Sequence, residues 1–218
     1  MNFTKTEILD FFFPPRCAFC RKLVETGEIH VCDACRPKLP YTRPGDVQKK
    51  DFIKTCVAPF YYEKEVRSAL LRYKFGQKPG YAAAFAEFVA VRIREDLKDE
   101  WDLLTWVPVS RLRLRQRGYD QAELLCSAVG KELGVEPMRL LVKQRHTKAQ
   151  SATGSAEKRR ANISGAYRIC DNVDVKDKRI LLIDDIITTG STLSECARTL
   201  GIAGAASVVC ATAARQRD

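Results

Sequence analysis

The chain has 218 residues, 45% of them hydrophobic and 29% charged, which is enough for one α/β domain with a small additional module. Thirty-seven lysines and arginines against 27 aspartates and glutamates give a formal net charge of +10. This excess favours anionic partners, nucleic acid or a polyphosphate, without deciding between them. No apolar run approaches the roughly 20 residues of a membrane-spanning helix, and we expect a cytosolic protein.

Four of the nine cysteines form two close pairs near the N-terminus, Cys17-x-x-Cys20 and Cys32-x-x-Cys35. This spacing can place four thiolates about 2.3 Å from a single Zn²⁺ in a tetrahedral site. Disulfide bonds are the alternative, and a reducing compartment disfavours them. Because four cysteine ligands leave no open coordination position, we expect a structural zinc. His30 lies between the pairs as a further candidate ligand, with a surface position as the alternative. The other cysteines are scattered and are expected in core or surface positions: Cys56, Cys126, Cys170, Cys196 and Cys210.

The chain divides at a turn-rich segment, 43–46, into two parts. Residues 1–45 are predicted to form the four-cysteine zinc-binding module, and residues 46–218 a larger domain. In that domain strand and helix patterns alternate, which predicts a mostly parallel sheet with helices on both faces. Strands are predicted at 53–61, 103–109, 138–143, 180–183 and 206–211. Helices are predicted at 66–73, 82–94 and 121–133, the last with a capping box at Asp120 and Glu123 and a closing Gly134.

Two basic segments are expected at the carboxyl ends of the strands, where α/β proteins bind ligands. The first carries an arginine at every second position: Arg111, Arg113, Arg115 and Arg117. Alternate spacing does not give one helical face, so we expect an extended loop whose guanidinium groups bind phosphate oxygens. A solvated basic loop is the alternative. The second segment, 145–162, has no apolar periodicity and is interpreted as a hood over the site or as a surface loop.

The stretch from 179 to 192 carries the most specific functional signal. An apolar run at 180–183 is typical of a buried strand, and Asp184 and Asp185 follow at its carboxyl end. Small residues then lead into a helical pattern: Thr188, Thr189, Gly190, Ser191 and Thr192. Backbone N–H groups at such a strand-to-helix loop bind a phosphate dianion. The loop lacks the lysine of a nucleotide P-loop, whereas its carboxylates can accept hydrogen bonds from ribose hydroxyls. We interpret it as a sugar-phosphate site, with an ordinary turn as the alternative.

From Leu181 to Thr192 the sequence resembles the phosphoribosyl pyrophosphate (PRPP) signature of type I phosphoribosyltransferases. Three further segments are similar to the ComF family of competence-linked proteins: the four-cysteine module, the run V-P-V-x-R-x-R-x-R-x-R-G-Y-D-Q-A-E-L-L from Val107, and R-x-T-x-x-Q from Arg145. The resemblance implies a type I phosphoribosyltransferase-like fold and PRPP binding by residues 184–192. It also implies a role in taking up single-stranded DNA during natural transformation.

The resemblance gives the site residues expected roles. Asp184 and Asp185 would steady the ribose as positive charge builds at C1, and Arg111 with its neighbours would hold the departing pyrophosphate. Mg²⁺ would bridge the pyrophosphate and the ribose hydroxyls, with most of its ligands from substrate and water. The implied partners are PRPP or a related ribose 5-phosphate ligand, single-stranded DNA, and competence helicase and DNA-processing proteins. Such partners would bring the protein to the inner face of the membrane.

Three functions stay open at this point. They are an active phosphoribosyltransferase on an unidentified acceptor, a DNA-handling adaptor that keeps the PRPP fold, and a PRPP-responsive regulator. No residue is identifiable as the base for an incoming nucleophile. Aromatic side chains among the basic residues are candidates for stacking on single-stranded bases, with core or pocket positions equally expected: Tyr73 and Phe75 around Lys74, and Tyr119 beside Arg117.

Overall fold

The structure, a computed structural model, describes residues 14–24, 31–76, 78–144 and 163–217. Its strands are β1 (Gln48–Lys50), β2 (Ile53–Val57), β3 (Phe60–Tyr61), β4 (Leu103–Trp106), β5 (Leu141–Lys143), β6 (Tyr167–Ile169), β7 (Arg179–Ile187) and β8 (Ser207–Arg215). Its helices are α1 (Lys64–Phe75), α2 (Tyr81–Asp96), α3 (Arg111–Arg117), α4 (Gln121–Leu133) and α5 (Ser191–Ile202).

The main sheet has the strand order β1-β2-β8-β7-β4, with β3 also paired to β8. All neighbouring pairs are parallel except β1 with β2, where β1 forms an antiparallel edge. Successive residues of β7 pack on opposite faces of the sheet. Leu181 and Ile183 face a core shared with α1, α2 and α4, while Ile180 and Leu182 face a second core with α5. Both faces are therefore covered, as parallel sheets require, and the predicted fold class is confirmed.

Several strand boundaries differ from the predictions. The strand predicted at 53–61 is split into β2 and β3, because Pro59 has no N–H to donate to the ladder. The strand predicted at 138–143 shrinks to β5, which pairs with β6 in a separate antiparallel ribbon. The strand predicted at 180–183 continues through both acids, because β8 stays alongside β7 as far as the pair Ile187 and Arg215.

The arginine segment is a helix, α3, and the prediction of an extended loop is wrong. Its first turn is capped by Ser110, whose Oγ accepts a hydrogen bond of 3.4 Å from the Arg113 N–H. Its end is marked by Gly118, which adopts the left-handed conformation with φ of 79°. Helix α3 has no fully buried residue, so its sequence need not show the one-sided spacing that marks a packed helix. Its ends are specified instead by the capping residues Ser110 and Gly118.

The signals at the ends of α4 are confirmed. The Oδ1 atom of Asp120 accepts hydrogen bonds of 3.1 Å from the Ala122 N–H and 3.3 Å from the Glu123 N–H. Gly134 ends the helix in the left-handed conformation, with φ of 71°. The helices predicted at 66–73 and 82–94 lie within α1 and α2.

The cysteine module packs directly on the sheet domain. The ring of Phe19 meets the rings of Phe60 and Phe85 edge to face, with centroids 6.0 and 5.7 Å apart. The Arg72 guanidinium in α1 donates hydrogen bonds of 2.9 Å to the carbonyl oxygens of Ala18 and Phe19. The predicted boundary at residue 45 stays a prediction, but the module shares its apolar core with one face of the sheet.

Among the described helices, none is long and apolar enough to cross a membrane. Two predicted features, the hood at 145–162 and the candidate ligand His30, lie outside the described residues.

Candidate functional site

Two acidic side chains lie next to each other near the carboxyl end of β7. Asp185 is buried, with 7% of its surface exposed, and its Oδ2 atom lies 2.7 Å from Nζ of Lys74 in α1. Asp184 is half-buried, and its Oδ1 atom accepts a hydrogen bond of 2.8 Å from the Asp185 N–H. Sequence reasoning did not place Lys74 in this site, because no local signal shows that the end of α1 meets β7.

The three charged groups change one another's pKa values. Burial and the neighbouring Asp185 raise the pKa of Asp184 to about 8, against the opposing effect of Lys74. Burial lowers the pKa of Lys74, but its ion pair with Asp185 outweighs burial and leaves the pKa above its ordinary value. The structure therefore holds Asp185 in an ion pair and disfavours the charged form of Asp184.

The predicted phosphate loop lies at the start of α5. Gly190 has a φ of 78° and occupies the N-cap position, a left-handed conformation that favours glycine. The hydroxyl oxygens of Thr189 and Ser191 are 3.0 Å apart, Thr188 is exposed and Thr192 is half-buried in the first helical turn. Since glycine has no side chain to accept hydrogen bonds from the first turn, those N–H groups are available to an anion.

A lysine from the edge of the sheet lies across this loop. A Cβ atom built on Gly190 would be 3.1 Å from Cγ and 3.5 Å from Cε of Lys50, the last residue of β1. The aliphatic part of the Lys50 side chain therefore passes over the loop, with the ammonium group one bond beyond Cε. The loop has no lysine of its own, and the structure places one there from 140 positions earlier in the chain.

Helix α3 separates the four predicted arginines into two rows, because residues four apart share a helix face. Arg113 and Arg117 form an inward row and are half-buried, whereas Arg111 and Arg115 form an outward row and are exposed. The structure therefore directs two of the four toward the site and two toward solvent.

Arg117 is the best-defined member of the inward row. It donates a hydrogen bond of 2.8 Å to Oε1 of Gln121, and its guanidinium carbon lies 4.9 Å from the ring centre of Phe75. Burial and the charge of Arg113 lower the pKa of Arg117, while Asp185 has the opposite effect. The charge of Arg117 therefore interacts with Asp185, and the hydrogen bond to Gln121 and the contact with the Phe75 ring hold the guanidinium in place.

A lysine and a tyrosine at the base of the β5–β6 ribbon complete the basic surroundings. Lys143 donates a hydrogen bond of 3.0 Å to the hydroxyl of Tyr167, and its ammonium lies 4.9 Å from the centre of the same ring. Burial and then Arg113 lower the pKa of Lys143, which the charge of Asp184 partly opposes. Burial raises the pKa of Tyr167 well above its ordinary value. Neither residue was predicted, since 24 residues separate the two.

Of the three aromatic candidates for stacking on bases, only Phe75 is largely exposed. Tyr73 is fully buried, and its hydroxyl donates a hydrogen bond of 2.6 Å to the Gln121 carbonyl oxygen. The Tyr119 hydroxyl in turn donates to the carbonyl oxygen of Tyr73. Phe75 has 64% of its surface exposed, so one ring face is available to a ligand while Arg117 lies against the other.

The four predicted zinc ligands come together. The sulfur atoms of Cys17, Cys20, Cys32 and Cys35 all lie within 4.8 Å of one another, and the Cys20 and Cys32 sulfurs are 3.6 Å apart. A tetrahedron with zinc–sulfur bonds of about 2.3 Å has edges of about 3.8 Å. The cluster therefore has the size of a four-cysteine zinc site.

The electrostatics of this cluster also favour a cation. Burial would raise the pKa of Cys17, but backbone N–H groups of Cys32, Cys20 and Phe19 outweigh it and lower the pKa to about 7. Burial and the crowded neighbouring thiols raise the pKa of Cys35. A first thiolate is thus stabilised, and further thiolates need a bound cation to offset their repulsion.

The remaining cysteines lie apart from this cluster. Cys170 is half-buried, and the other four are buried: Cys56, Cys126, Cys196 and Cys210. These positions agree with the predicted core or surface locations.

Two protein families match separate parts of the chain. The phosphoribosyl transferase domain family matches residues 121–218, which include β7, the phosphate loop and α5. The double zinc ribbon domain family matches residues 8–45, which include the four-cysteine cluster. The cluster and this match together support a structural zinc.

Curated relatives match along most of the chain. Competence protein F of Haemophilus influenzae is 25% identical over 211 residues, covering 87% of this chain and 92% of the relative. Competence protein ComFC of Streptococcus pneumoniae is 32% identical over 197 residues, covering 88% and 84%. The chain belongs to the ComF family. DNA utilization protein YhgH of Escherichia coli K12 also matches this ComF protein, with 25% identity over 216 residues, 89% of this chain and 94% of the relative.

Solved structures show a more distant likeness. The glutamine PRPP amidotransferase of B. subtilis, complexed with ADP and GMP, is 19% identical with a TM-score of 0.44. The match covers 65% of the ComF protein and 30% of that chain. An allosteric regulatory enzyme of purine biosynthesis has a TM-score of 0.42 at 21% identity, and the ComF protein spans 29% of its length.

Replacing one zinc ligand should destabilise more than the cysteine module. We expect Cys35→Ser to abolish zinc binding and to lower the free energy of unfolding by at least about 3 kcal/mol. The loss should appear in the unfolding of the sheet domain, because Phe19 packs on Phe60 and Phe85. Elemental analysis and urea unfolding measure the two effects.

Cys170→Ser, at a half-buried position outside the cluster, is the matched control and should keep both zinc and stability. Wild-type protein purified without chelator and found to lack zinc would contradict the prediction.

The raised pKa of Asp184 should make folding stability depend on pH. Below both pKa values the group is protonated in both states. As the pH rises toward about 8 the unfolded chain loses this proton and the folded chain keeps it, so stability falls. The change in the free energy of unfolding caused by Asp184→Asn should therefore be more stabilising at about pH 8 than at about pH 5, by at least about 1 kcal/mol. Urea unfolding at the two pH values measures it.

Asp174→Asn, at an exposed position, should show the pH dependence of the wild type. Equal effects of Asp184→Asn at both pH values would mean that this carboxyl group titrates normally.

Proposed function

We propose that this ComF protein binds PRPP at the carboxyl end of β7 and acts in the uptake of single-stranded DNA during natural transformation. The observation that carries the proposal is one continuous segment, in which the acid pair leads directly into the Gly190 loop and α5. Basic groups from three other elements surround that segment: Lys50, Lys74 and the inward arginine row.

The phosphate loop suits the 5-phosphate of the ligand. The first-turn N–H groups of α5 and the hydroxyls of Thr189 and Ser191 can donate hydrogen bonds to its oxygens. The Lys50 ammonium supplies a full positive charge beside Gly190, which the loop itself lacks. A dianion at this position therefore receives both directional hydrogen bonds and charge compensation.

The acid pair suits the ribose. Hydroxyl groups at the 2′ and 3′ positions donate hydrogen bonds to carboxylates. They would favour the charged form of Asp184, which burial and the neighbouring Asp185 disfavour. The two carboxylates would also oppose the positive charge that builds at C1 if the pyrophosphate leaves.

The inward arginine row and Lys74 suit the pyrophosphate, since Lys74 is ion-paired with Asp185 and the charge of Arg117 interacts with the same carboxyl group. Arg117 is already fixed by Gln121 and Phe75, so little conformational entropy is lost when it binds phosphate oxygens. The acids bind Lys74 and a backbone N–H rather than standing free as a metal-ligand set. Mg²⁺ bound with the pyrophosphate would therefore take most of its ligands from substrate and water, and it would supply neutralising charge.

A second candidate function is catalysis of phosphoribosyl transfer to an unidentified acceptor. The pair Lys143 and Tyr167 favours it, because this pair lies near Asp184 electrostatically and offers a lysine with a lowered pKa. Such a group could accept a proton from an acceptor nucleophile. Turnover of PRPP in the presence of candidate acceptors, lost in Lys143→Met, would test this function.

The role in DNA uptake is supported by the relatives and by the surface charge. The relatives are named as competence and DNA utilization proteins, and the chain has a net charge of +10. The outward arginine row offers phosphate contacts, and the exposed ring of Phe75, which lies against Arg117 of the same helix, offers a stacking surface.

Removing both acids tests the PRPP site. We expect Asp184→Asn combined with Asp185→Asn to lower PRPP affinity by at least about a hundredfold, because charged hydrogen-bond acceptors for two hydroxyls are lost. Isothermal calorimetry with PRPP and Mg²⁺ measures the affinity, and thermal unfolding reports whether the variant remains folded.

Asp171→Asn combined with Asp174→Asn is the matched control, since it removes two exposed acids that lie outside β7. Unchanged PRPP affinity in the β7 double variant, or an equal loss in the control, would rule out the acid pair as the ribose site.

The two arginine rows should separate DNA binding from PRPP binding. We expect Arg111→Ala with Arg115→Ala to make the slope of log affinity for single-stranded DNA against log salt concentration less steep by about one to one and a half. Each phosphate contact on a single strand contributes about 0.7 to this slope. This variant should keep its PRPP affinity. Arg113→Gln with Arg117→Gln should instead lower PRPP affinity at least about tenfold.

Each variant removes two positive charges from the same short helix, so each controls for the other. Fluorescence anisotropy over a salt series measures DNA binding, and calorimetry measures PRPP binding. If the outward variant keeps the wild-type salt slope, single-stranded DNA binds to another face of the protein.

A further inference from the structure

Asp185, one of the two acids proposed to bind ribose, already has a charged partner in the structure. Nζ of Lys74 lies 2.7 Å from Oδ2 of Asp185, with 26% of the lysine side chain and 9% of the aspartate side chain exposed. An ion pair with so little solvent access is costly to break, because either charged group, left without its partner, has little water to replace it. A ligand that takes over Asp185 must therefore also provide a new partner for Lys74.

The position of Lys74 is built into the fold on both sides. The preceding residue, Tyr73, is fully buried and donates a hydrogen bond of 2.6 Å to the Gln121 carbonyl oxygen. The following residue, Phe75, packs against the Arg117 guanidinium at 4.9 Å. The backbone at Lys74 is thus tied to the region between α3 and α4. Only the four-carbon side chain can change its contact.

The charges of the two possible ligands decide what Lys74 can do next. Ribose 5-phosphate offers hydroxyl groups to Asp185, and its one phosphate is expected at the Gly190 loop, beside Lys50. PRPP offers the same hydroxyl groups and adds a pyrophosphate at C1, next to the hydroxyls. A lysine ammonium on a flexible stem can rotate from the carboxylate to such a phosphate without any movement of the backbone.

We propose that Lys74 makes the site selective for PRPP over ribose 5-phosphate, by holding Asp185 before a ligand binds and passing to the pyrophosphate when PRPP binds. The inference rests on the proposed PRPP site and names the residue that distinguishes its ligands. With PRPP, both members of the ion pair gain new charged or hydrogen-bonded partners. With ribose 5-phosphate, Lys74 loses its carboxylate and gains nothing.

The experiment compares the affinities of PRPP and ribose 5-phosphate for four proteins: the wild type, Lys74→Met, Lys74→Arg and Lys78→Met. We expect Lys74→Met to lower PRPP affinity by at least about tenfold, as one charged contact is lost. The affinity for ribose 5-phosphate should change by less than about threefold, or increase, because no lysine competes for Asp185. Lys74→Arg should recover part of the selectivity, and Lys78→Met, at an exposed position four residues away, should match the wild type.

The ratio of the two affinities distinguishes this role from a structural one. If Lys74 only maintains the fold, its loss should weaken both ligands by the same factor, and that result would overturn the inference. An unchanged ratio in a folded Lys74→Met protein would also overturn it. If Lys74→Met does not fold, the affinity ratio of Lys74→Arg tests the inference. The planar guanidinium should move less easily from Asp185 to the pyrophosphate, so this ratio should fall below the wild-type value.

The wild-type titration separates failure of the inference from failure of the proposed site. A wild type that binds neither ligand would refute the PRPP site and the inference together. A wild type that binds PRPP tightly, with a ratio that Lys74→Met leaves unchanged, would refute the inference alone.

Discussion

Burial of β7 on both faces is the constraint on which the rest of the site depends. The strand has parallel neighbours on both sides and a packed core on each face, so polar side chains can begin only near its carboxyl end. There they are still partly buried, which raises the pKa of Asp184 and makes an ion pair between Asp185 and Lys74 necessary. The same burial that forms the sheet therefore prepares two carboxyl groups for ligands that donate hydrogen bonds.

The basic groups around the acids come from elements that are far apart in the chain. Lys50 belongs to the edge strand, Lys74 to the last turn of α1, Arg117 to α3, and Lys143 to the separate ribbon. Lys74, Arg117 and Lys143 are each held by a contact of their own, with Asp185, Gln121 and Tyr167 respectively, and the side chain of Lys50 lies over Gly190. A ligand with several anionic groups is therefore met by cations placed by the fold rather than by one basic segment.

The sequence predicted the parts of this arrangement that rest on local signals. The apolar run of β7, the loop at Gly190, the two cysteine pairs and the caps of α4 all have residue types that specify a conformation within a few positions. The contacts of Lys74 with Asp185 and of Lys50 with Gly190 join residues more than 100 positions apart, and no local pattern marks them. The prediction for the arginine segment is wrong, because alternate spacing carries no information about an exposed helix, whose ends are set by the cap at Ser110 and the left-handed Gly118.

Helix α1 connects the cysteine module to the proposed sugar-phosphate site. Arg72 donates to the carbonyl oxygens of Ala18 and Phe19 within the first cysteine pair, and Lys74 follows two residues later. A change in the folding of the metal module would therefore displace the turn that carries Lys74. Loss of zinc would then weaken ligand binding at the proposed site, although the metal does not contact it.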